Sequence, residues 1–206
     1  MKIAVFVSGG GTNLQAIIDN TKDGILKDIE IVLVLSSSKD AYALERAANN
    51  GIKSAVVSRK DFDTIEAWDE KVVEEVKNSG AELIVLAGYL SLLGPKIVSE
   101  YSNRIINIHP DLIPSFCGAG MYGIRPHKAA LAKGVKVSGA TVHFVNENYD
   151  EGPILLQKAV DVLPDDTPET LQKRIMQECE WKILPQAIRL IADGRVVIEN
   201  NICHVK

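Results

Sequence analysis

Ile3-Ala4-Val5-Phe6-Val7-Ser8-Gly9-Gly10-Gly11-Thr12-Asn13-Leu14 is the stretch on which the fold turns. Its first five residues are all apolar. Such an unbroken run fits a strand buried on both faces, not one that alternates between core and water. Three glycines then turn the chain, and residues 14–19 carry helix spacing, with Thr12 or Asn13 as the expected cap. Strand, glycine turn and helix open a parallel α/β sheet, because parallel neighbours need a crossover and that crossover covers a face of the sheet.

The same alternation continues. Residues 29–35 read as a second buried strand, 41–50 as a helix ending at Gly51, and 53–57 as a third, weaker strand. Asp63 is the expected cap of a helix reaching Ser79, with Glu66 as its box-like partner. Residues 82–87 and 104–108 are the fourth and fifth strands, with a short helix at 95–101 between them. Residues 114–126 hold Gly118, Gly120 and Gly123 between two prolines and read as a mobile loop. A short helix follows at 125–133. Residues 137–145 and 154–162 form a hairpin across the turn 146–152, which adds an antiparallel pair. Thr167 caps a helix with Pro168 at its first position. The last helix is expected to end near Ala192, with Pro185 kinking or breaking it, before a short strand at 196–198. The predicted fold is α/β: a doubly wound, mostly parallel sheet with a Rossmann-like N-terminal half and an antiparallel hairpin in the C-terminal half. No repeat or linker is visible, so 1–206 is expected to be a single domain.

The 206 residues are 46% hydrophobic and 24% charged, ordinary for a globular chain with a sizeable core. A net charge of −4 and the lack of a Lys/Arg run give no nucleic-acid signature. Cys117, Cys179 and Cys203 are odd in number and far apart, which suits neither a disulfide framework nor zinc ligation and suggests a reducing compartment. Residues 1–7 are too short for a signal core, and no apolar run approaches the roughly 20 residues that span a bilayer. A cytoplasmic protein with no metal, membrane or nucleic-acid partner is expected.

Three places carry candidate chemistry. At Ser8–Asn13 the glycines allow close approach, and the helix start offers N–H groups and a favourable dipole, so an anion fits there. No Lys precedes Thr12, and Leu14 stands where a dinucleotide fingerprint has its third glycine, so a monophosphate fits better than a pyrophosphate. A plain tight turn is the alternative. The second place is Asn107-Ile108-His109-Pro110, at the end of the fifth strand. Strand alternation puts Asn107 and His109 on one face, and Pro110 and Pro114 stiffen the exit. A neutral donor beside a titratable ring suits acyl or formyl transfer; two polar residues ending a strand is the bland alternative. The third is Asp150, one of three acidic residues in its loop, where a solvated carboxylate is the competing reading. His143, in mid-strand, reads as a structural histidine, and His127 and His204 as surface or loop residues.

Ser8-Gly-Gly-Gly-Thr-Asn-Leu-Gln15, Leu86-Ala-Gly-Tyr89, Asn107-Ile-His-Pro-Asp-Leu-Ile-Pro114, Gly139-Ala-Thr-Val-His-Phe-Val145 and Asp150-Glu-Gly-Pro153 occur in that order. Together they resemble the glycinamide ribonucleotide transformylases of the formyltetrahydrofolate-dependent formyltransferase family, from Ile3 to about Gly194. The resemblance implies transfer of a formyl group from 10-formyltetrahydrofolate, as co-substrate, to the amine of glycinamide ribonucleotide in purine synthesis. It assigns Asn107 and His109 as donors to the formyl oxygen, and Asp150 as the partner that favours charged His109 and helps relay the amine proton. Gly11, Thr12 and Asn13 would hold the phosphate. Gln177 and Glu180, expected one helical turn apart, would meet the ribose or glycinamide, with Glu178 the competing choice for the acid. Folate would rest on Tyr89, Leu90, Ser91, Leu92 and Leu93, on Asn107, and on Val145, Asn146, Glu147 and Asp150. Residues 1–108 then form the phosphate half and 109–206 the folate-site and catalytic-loop half of a monomer or homodimer.

Two positions depart from the pattern: many members carry Arg at Ser91, and some at Ile65, near the folate carboxylate tail. Residues 115–125 are longer and richer in Gly, and are expected to act as a lid. The competing readings are a formyltransferase for another amine, a formyltetrahydrofolate hydrolase and a non-catalytic nucleotide-binding protein. The first two generally carry an additional region, C-terminal or N-terminal respectively. The third would not need Asn107, His109 and Asp150 together.

Overall fold

Apolar runs become strands where both faces can be covered, and the first run becomes β1 (Lys2–Val7), whose residues Ile3–Val7 have no exposed surface. In this computed structural model, which describes residues 1–206, seven strands hydrogen-bond in the order β3-β2-β1-β4-β5-β6-β7. The strands added to β1 are β2 (Glu30–Ser36), β3 (Ser54–Val56), β4 (Leu83–Leu86), β5 (Ile105–His109), β6 (Val137–Phe144) and β7 (Ile154–Asp161). The mostly parallel α/β architecture expected from the sequence holds. The chain divides into two compact units, Met1–Ile106 and Asn107–Lys206.

In the first unit β1 pairs in parallel with β2 and β4, and β2 with β3. The crossovers are α1 (Thr12–Lys22), α2 (Tyr42–Asn49) and α3 (Ile65–Ser79), followed by α4 (Pro95–Glu100) after β4. A 3-10 turn at Arg59–Asp61 was not anticipated. Helix α3 buries Trp68, Val72, Val73 and Val76, a stripe at helical spacing. Burying each such side chain is worth roughly 1.5–3 kcal/mol. Two caps differ from expectation. Helix α3 is capped by Thr64, whose Oγ1 accepts from Ala67 N–H at 3.1 Å; Asp63 lies one residue too early to reach that third N–H. Helix α1 is capped by Gly11, not by Thr12 or Asn13. Gly11 sits at φ 69°, and a Cβ there would lie 2.6 Å from Ala43 Cβ, so backbone and packing both demand glycine. Buried Asp69 supplies a cap from another helix: its carboxylate accepts from the N–H groups of Lys96 and Ile97 at the start of α4.

In the second unit β6 and β7 pair antiparallel, with an irregularity between Val142 and His143. The expected hairpin is therefore present, and the irregularity falls at His143, where a bulge re-aims a side chain. A Cβ on Gly152 would collide with the Phe144 carbonyl oxygen, so the loop returns tightly against the strand end. The helices are α5 (Arg125–Lys133), α6 (Pro168–Ile175) and α7 (Trp181–Ala192). Thr167 caps α6 as expected, but its box partner is Thr170. Pro185 neither breaks nor ends the helix. It sits inside α7, and the irregularity is a π-helical turn at Met176–Glu180, before that helix begins. The terminal strand is one half of a hairpin, β8 (Val196–Glu199) with β9 (Ile202–Val205), of which only the first strand was expected.

Candidate functional site

The glycine loop is held open from beneath. Ala43 N–H donates to the Gly9 carbonyl at 3.0 Å, and Arg46 Nε donates to the Gly10 carbonyl at 2.8 Å. Gln15 N–H makes an α-helical bond to Gly11 O, and Gly11 has no side chain to cap the helix start. Ser8 Oγ accepts from Leu90 N–H at 2.8 Å and lies 2.6 Å from Ser37 Oγ, tying the loop to the segment after β4. In that segment Leu90 and Leu92 are 57% and 58% exposed, an unusual pair of bare leucines, while Ser91 and Leu93 are half-buried. Tyr89 packs edge-on against Phe6, with ring centroids 5.2 Å apart, and burial pushes its phenol up.

The second unit brings Asn107, His109 and Asp150 together with a fourth residue, His143. Asn107 Nδ2 is 3.1 Å from His143 Nε2. Asp150 Oδ1 is 3.5 Å from the same nitrogen, and Asp150 Oδ2 is 3.7 Å from His109 Nδ1. The last two spacings suit charge pairing more than a direct hydrogen bond. Asp150 Oδ2 also accepts from Gly118 N–H at 2.7 Å. Asp150 is therefore no solvated loop carboxylate. It sits at φ 53°, a left-handed conformation seldom adopted away from Gly, Asn and Asp.

The ring tautomers follow from the partners. His143 Nδ1 is 2.9 Å from the Phe144 carbonyl, so Nδ1 carries a proton, and in the neutral ring Nε2 is left to accept from Asn107. His109 Nε2 is 3.0 Å from the Phe116 carbonyl, so Nε2 carries its proton and Nδ1 faces Asp150 with a lone pair. With both rings neutral, Asp150 looks at two lone pairs. Protonating either ring creates an ion pair with it. Burial pushes His109 below 6.5 and outweighs the upward pull of the Asp150 charge and the Phe116 bond. Asp150 does pull His109 toward its charged form, but desolvation outweighs that pull in a site where His109 is only 3% exposed. Burial also raises Asp150, but the His143 contact, the Gly118 N–H and the two imidazoles together bring it below 3.8, so it stays ionised at neutral pH.

The loop 115–125 reaches this cluster through Phe116 and Gly118. Phe116 stands at φ 44°, a strained angle for a bulky residue. His127 was expected at the surface. It lies on α5 with no exposed surface and with neither ring nitrogen hydrogen-bonded, and burial pushes it down to about 4. His204 is exposed on β9. Gln177 and Glu180 fall in the π-turn, not on one α-helical face, and the wider turn separates them: Gln177 is exposed, whereas Glu180 is 6% exposed. Glu178, the competing choice, is exposed. Val145 and Asn146 are half-buried and Glu147 is exposed. Sequence reasoning missed the place of His143. Its one signal was the polar ring inside the apolar run of β6, and that signal is shared with any satisfied core histidine.

Residues 1–188 match the formyl transferase family model. The chain is 41% identical over 196 residues to the chloroplastic phosphoribosylglycinamide formyltransferase of Arabidopsis thaliana, covering 95% of this chain and 66% of that one. It is 40% identical to the trifunctional purine biosynthetic protein adenosine-3 of Drosophila melanogaster over 96% of its own length, which is 14% of that protein. With the phosphoribosylglycinamide formyltransferase of Haemophilus influenzae it shares 38% identity over 99% of this chain and 93% of that one. Among solved structures, glycinamide ribonucleotide transformylase 1 from Symbiobacterium toebii superposes with a TM-score of 0.93 at 42% identity, covering 100% of this chain and 93% of that one.

Proposed function

The chain belongs to the formyl transferase family, and from that premise we propose that it moves the formyl group of 10-formyltetrahydrofolate to the primary amine of glycinamide ribonucleotide in purine synthesis. The observation that carries the reading is Asp150: a carboxylate held ionised beside two imidazoles, one of them bonded to the Asn107 amide. A transfer between two nitrogens needs no Ser or Cys nucleophile. It needs donors for an oxygen that becomes negative and a place for a proton in transit.

The amine nitrogen forms its bond to the formyl carbon, the bond from that carbon to the folate nitrogen breaks, and the proton shed by the amine ends on the leaving nitrogen. Asn107 Nδ2 has a second N–H beyond the one given to His143, and that N–H serves the formyl oxygen. His109 adds its Nε2–H once the Phe116 carbonyl releases it, which makes movement of loop 115–125 part of the cycle. A proton taken up by either ring is stabilised by Asp150, directly or through water. Gly11, Thr12 and Asn13 take the ribonucleotide phosphate, and Gln177 and Glu180 its sugar or glycinamide part. Exposed Leu90 and Leu92, with Tyr89, Ser91 and Leu93, supply apolar surface for the pterin, joined by Val145, Asn146 and Glu147. The protein works in the cytoplasm as a monomer or homodimer, on these small molecules alone.

The test is formyl transfer with the ribonucleotide present and absent. Ribonucleotide-dependent release of tetrahydrofolate, together with formylated product, is expected. Equal release without the ribonucleotide would make the protein a hydrolase, and no release would overturn the reading.

A further inference from the structure

The first unit contains a cation that the proposed chemistry leaves unused. Arg46, in the second turn of α2, donates Nε to the Gly10 carbonyl at 2.8 Å and Nη1 to Gln15 Oε1 at 3.0 Å. Its guanidinium lies 5.0 Å from the centroid of the Tyr42 ring, within cation–π range. One residue earlier in the loop, Ala43 N–H takes the Gly9 carbonyl. Helix α2 thus binds two successive carbonyls of the glycine loop, and Arg46 also reaches the first helix of the chain through Gln15.

Those carbonyls matter because an anion approaching the loop meets partial charges of both signs. Oxygens turned toward it repel it, and oxygens committed elsewhere leave the N–H groups to dominate. Gly9 and Gly10 have open space where a Cβ would stand, so no side chain braces the backbone there and hydrogen bonds are left to orient it. The two hydrogen bonds from α2 do that. Arg46 suits the task better than Lys, since its planar fork serves the Gly10 carbonyl and Gln15 at once while its face lies over an aromatic ring.

We infer that Arg46 is the positioning residue of the phosphate loop: it holds the Gly10 carbonyl away from the ligand, presets the N–H groups of Gly11, Thr12 and Asn13 for a sugar phosphate, and adds a positive charge behind them. This rests on the reading of the loop as the ribonucleotide-phosphate site. Arg46 acts on affinity for the phosphorylated substrate and leaves the chemical step alone.

The test uses the full chain with Arg46→Ala, Arg46→Gln and Arg46→Lys. Arg46 is half-exposed, so all three variants should fold, which circular dichroism checks. In steady-state transfer, Arg46→Ala and Arg46→Gln should raise the KM for the ribonucleotide tenfold or more, with kcat and the KM for folate within about twofold. Arg46→Lys should recover part of the loss. Independently of activity, titration with ribose 5-phosphate followed by amide NMR should move the Gly11, Thr12 and Asn13 signals in the wild type, and its affinity should fall tenfold or more in Arg46→Ala. If the wild type binds ribose 5-phosphate there but transfers no formyl group to the ribonucleotide, the catalytic reading fails while the binding comparison still decides the role of Arg46. Unchanged affinity and KM in Arg46→Ala, or no ribose 5-phosphate binding at the loop in the wild type, would overturn the inference. So would a fall in kcat at constant KM.

Discussion

Asn107 Nδ2 gives a hydrogen to His143 Nε2 across 3.1 Å, and His143 can accept it because its other nitrogen is committed to the Phe144 carbonyl. The Asn107 amide is therefore oriented by a buried histidine whose other ring nitrogen is committed to backbone. Asp150 Oδ1 lies 3.5 Å from that same Nε2.

Asn107→Ala and Asp150→Asn are expected to cut kcat by at least about a hundredfold each, since losing one donor to a developing oxyanion typically costs on the order of 3 kcal/mol. Far-ultraviolet circular dichroism and melting temperature should stay close to wild type. Near-normal turnover in either variant would sink the assignment.

His143→Leu removes the acceptor that orients Asn107 and one of the two rings beside Asp150. A buried donor left without its partner costs about 1–3 kcal/mol, so kcat should fall on the order of tenfold or more. If turnover is unchanged while stability drops, His143 is a structural residue only.

Stability should carry two opposing pH terms. His127 is pushed down to about 4 by burial and then by neighbouring His109, against 6.5 when unfolded. Between these values only the unfolded chain binds the proton, so stability rises as pH rises through the window and is lost on acidification. Asp111 is pushed up to about 6 by burial, despite its bonds to Leu112 N–H and Ser138. Its contribution is fully present below 3.8 and is lost as pH rises through 6. Denaturant titrations should separate them. Relative to His127→Leu, the wild type should lose about 2 kcal/mol from pH 7 to pH 5; relative to Asp111→Asn, it should lose about 1 kcal/mol from pH 5 to pH 8. Parallel curves for a variant and the wild type would rule out that residue's term.

Loop 115–125 rests on the cluster through Phe116 and Gly118, and the Phe116 carbonyl occupies the His109 N–H that the proposed chemistry needs. Limited proteolysis at this loop should therefore change when ribonucleotide and a folate analogue are added together, with slower cutting once the loop closes over both. Identical cutting patterns would count against a lid.

The resemblance implies an arginine near the folate tail at position 91 in many members and at position 65 in some, whereas this chain has Ser91 and an exposed Ile65. Mono- and polyglutamyl 10-formyltetrahydrofolate should then show KM values within a fewfold of each other. A strong preference for the polyglutamyl form would place the tail on other cations.

Local rules read most of the fold correctly because they act over few residues. The apolar run at Ile3, the glycine at 51 that ends α2 and the Thr167-Pro168 start each encode their element within one turn or strand. The misses lie where a local rule met a distant neighbour. The α1 cap fell on Gly11, in left-handed backbone close against Ala43, and the irregularity expected at Pro185 lies instead in the π-turn Met176–Glu180. The Asn107-x-His109 pair was legible through strand alternation alone. The positions of His143, Gly118 and His127 were not.

Composition, periodicity and turn chemistry settled the α/β alternation, the glycine loop and the polar end of β5, since all three depend on residues adjacent in the chain. Tertiary structure alone decided that His143, 36 residues from Asn107, would orient its amide, and that Asp150 would take the N–H of Gly118, 32 residues away. It also decided that burial would keep His109 neutral against a neighbouring carboxylate. Desolvation and long-range hydrogen bonds depend on what the folded chain packs around a group, and no local window of sequence contains that information.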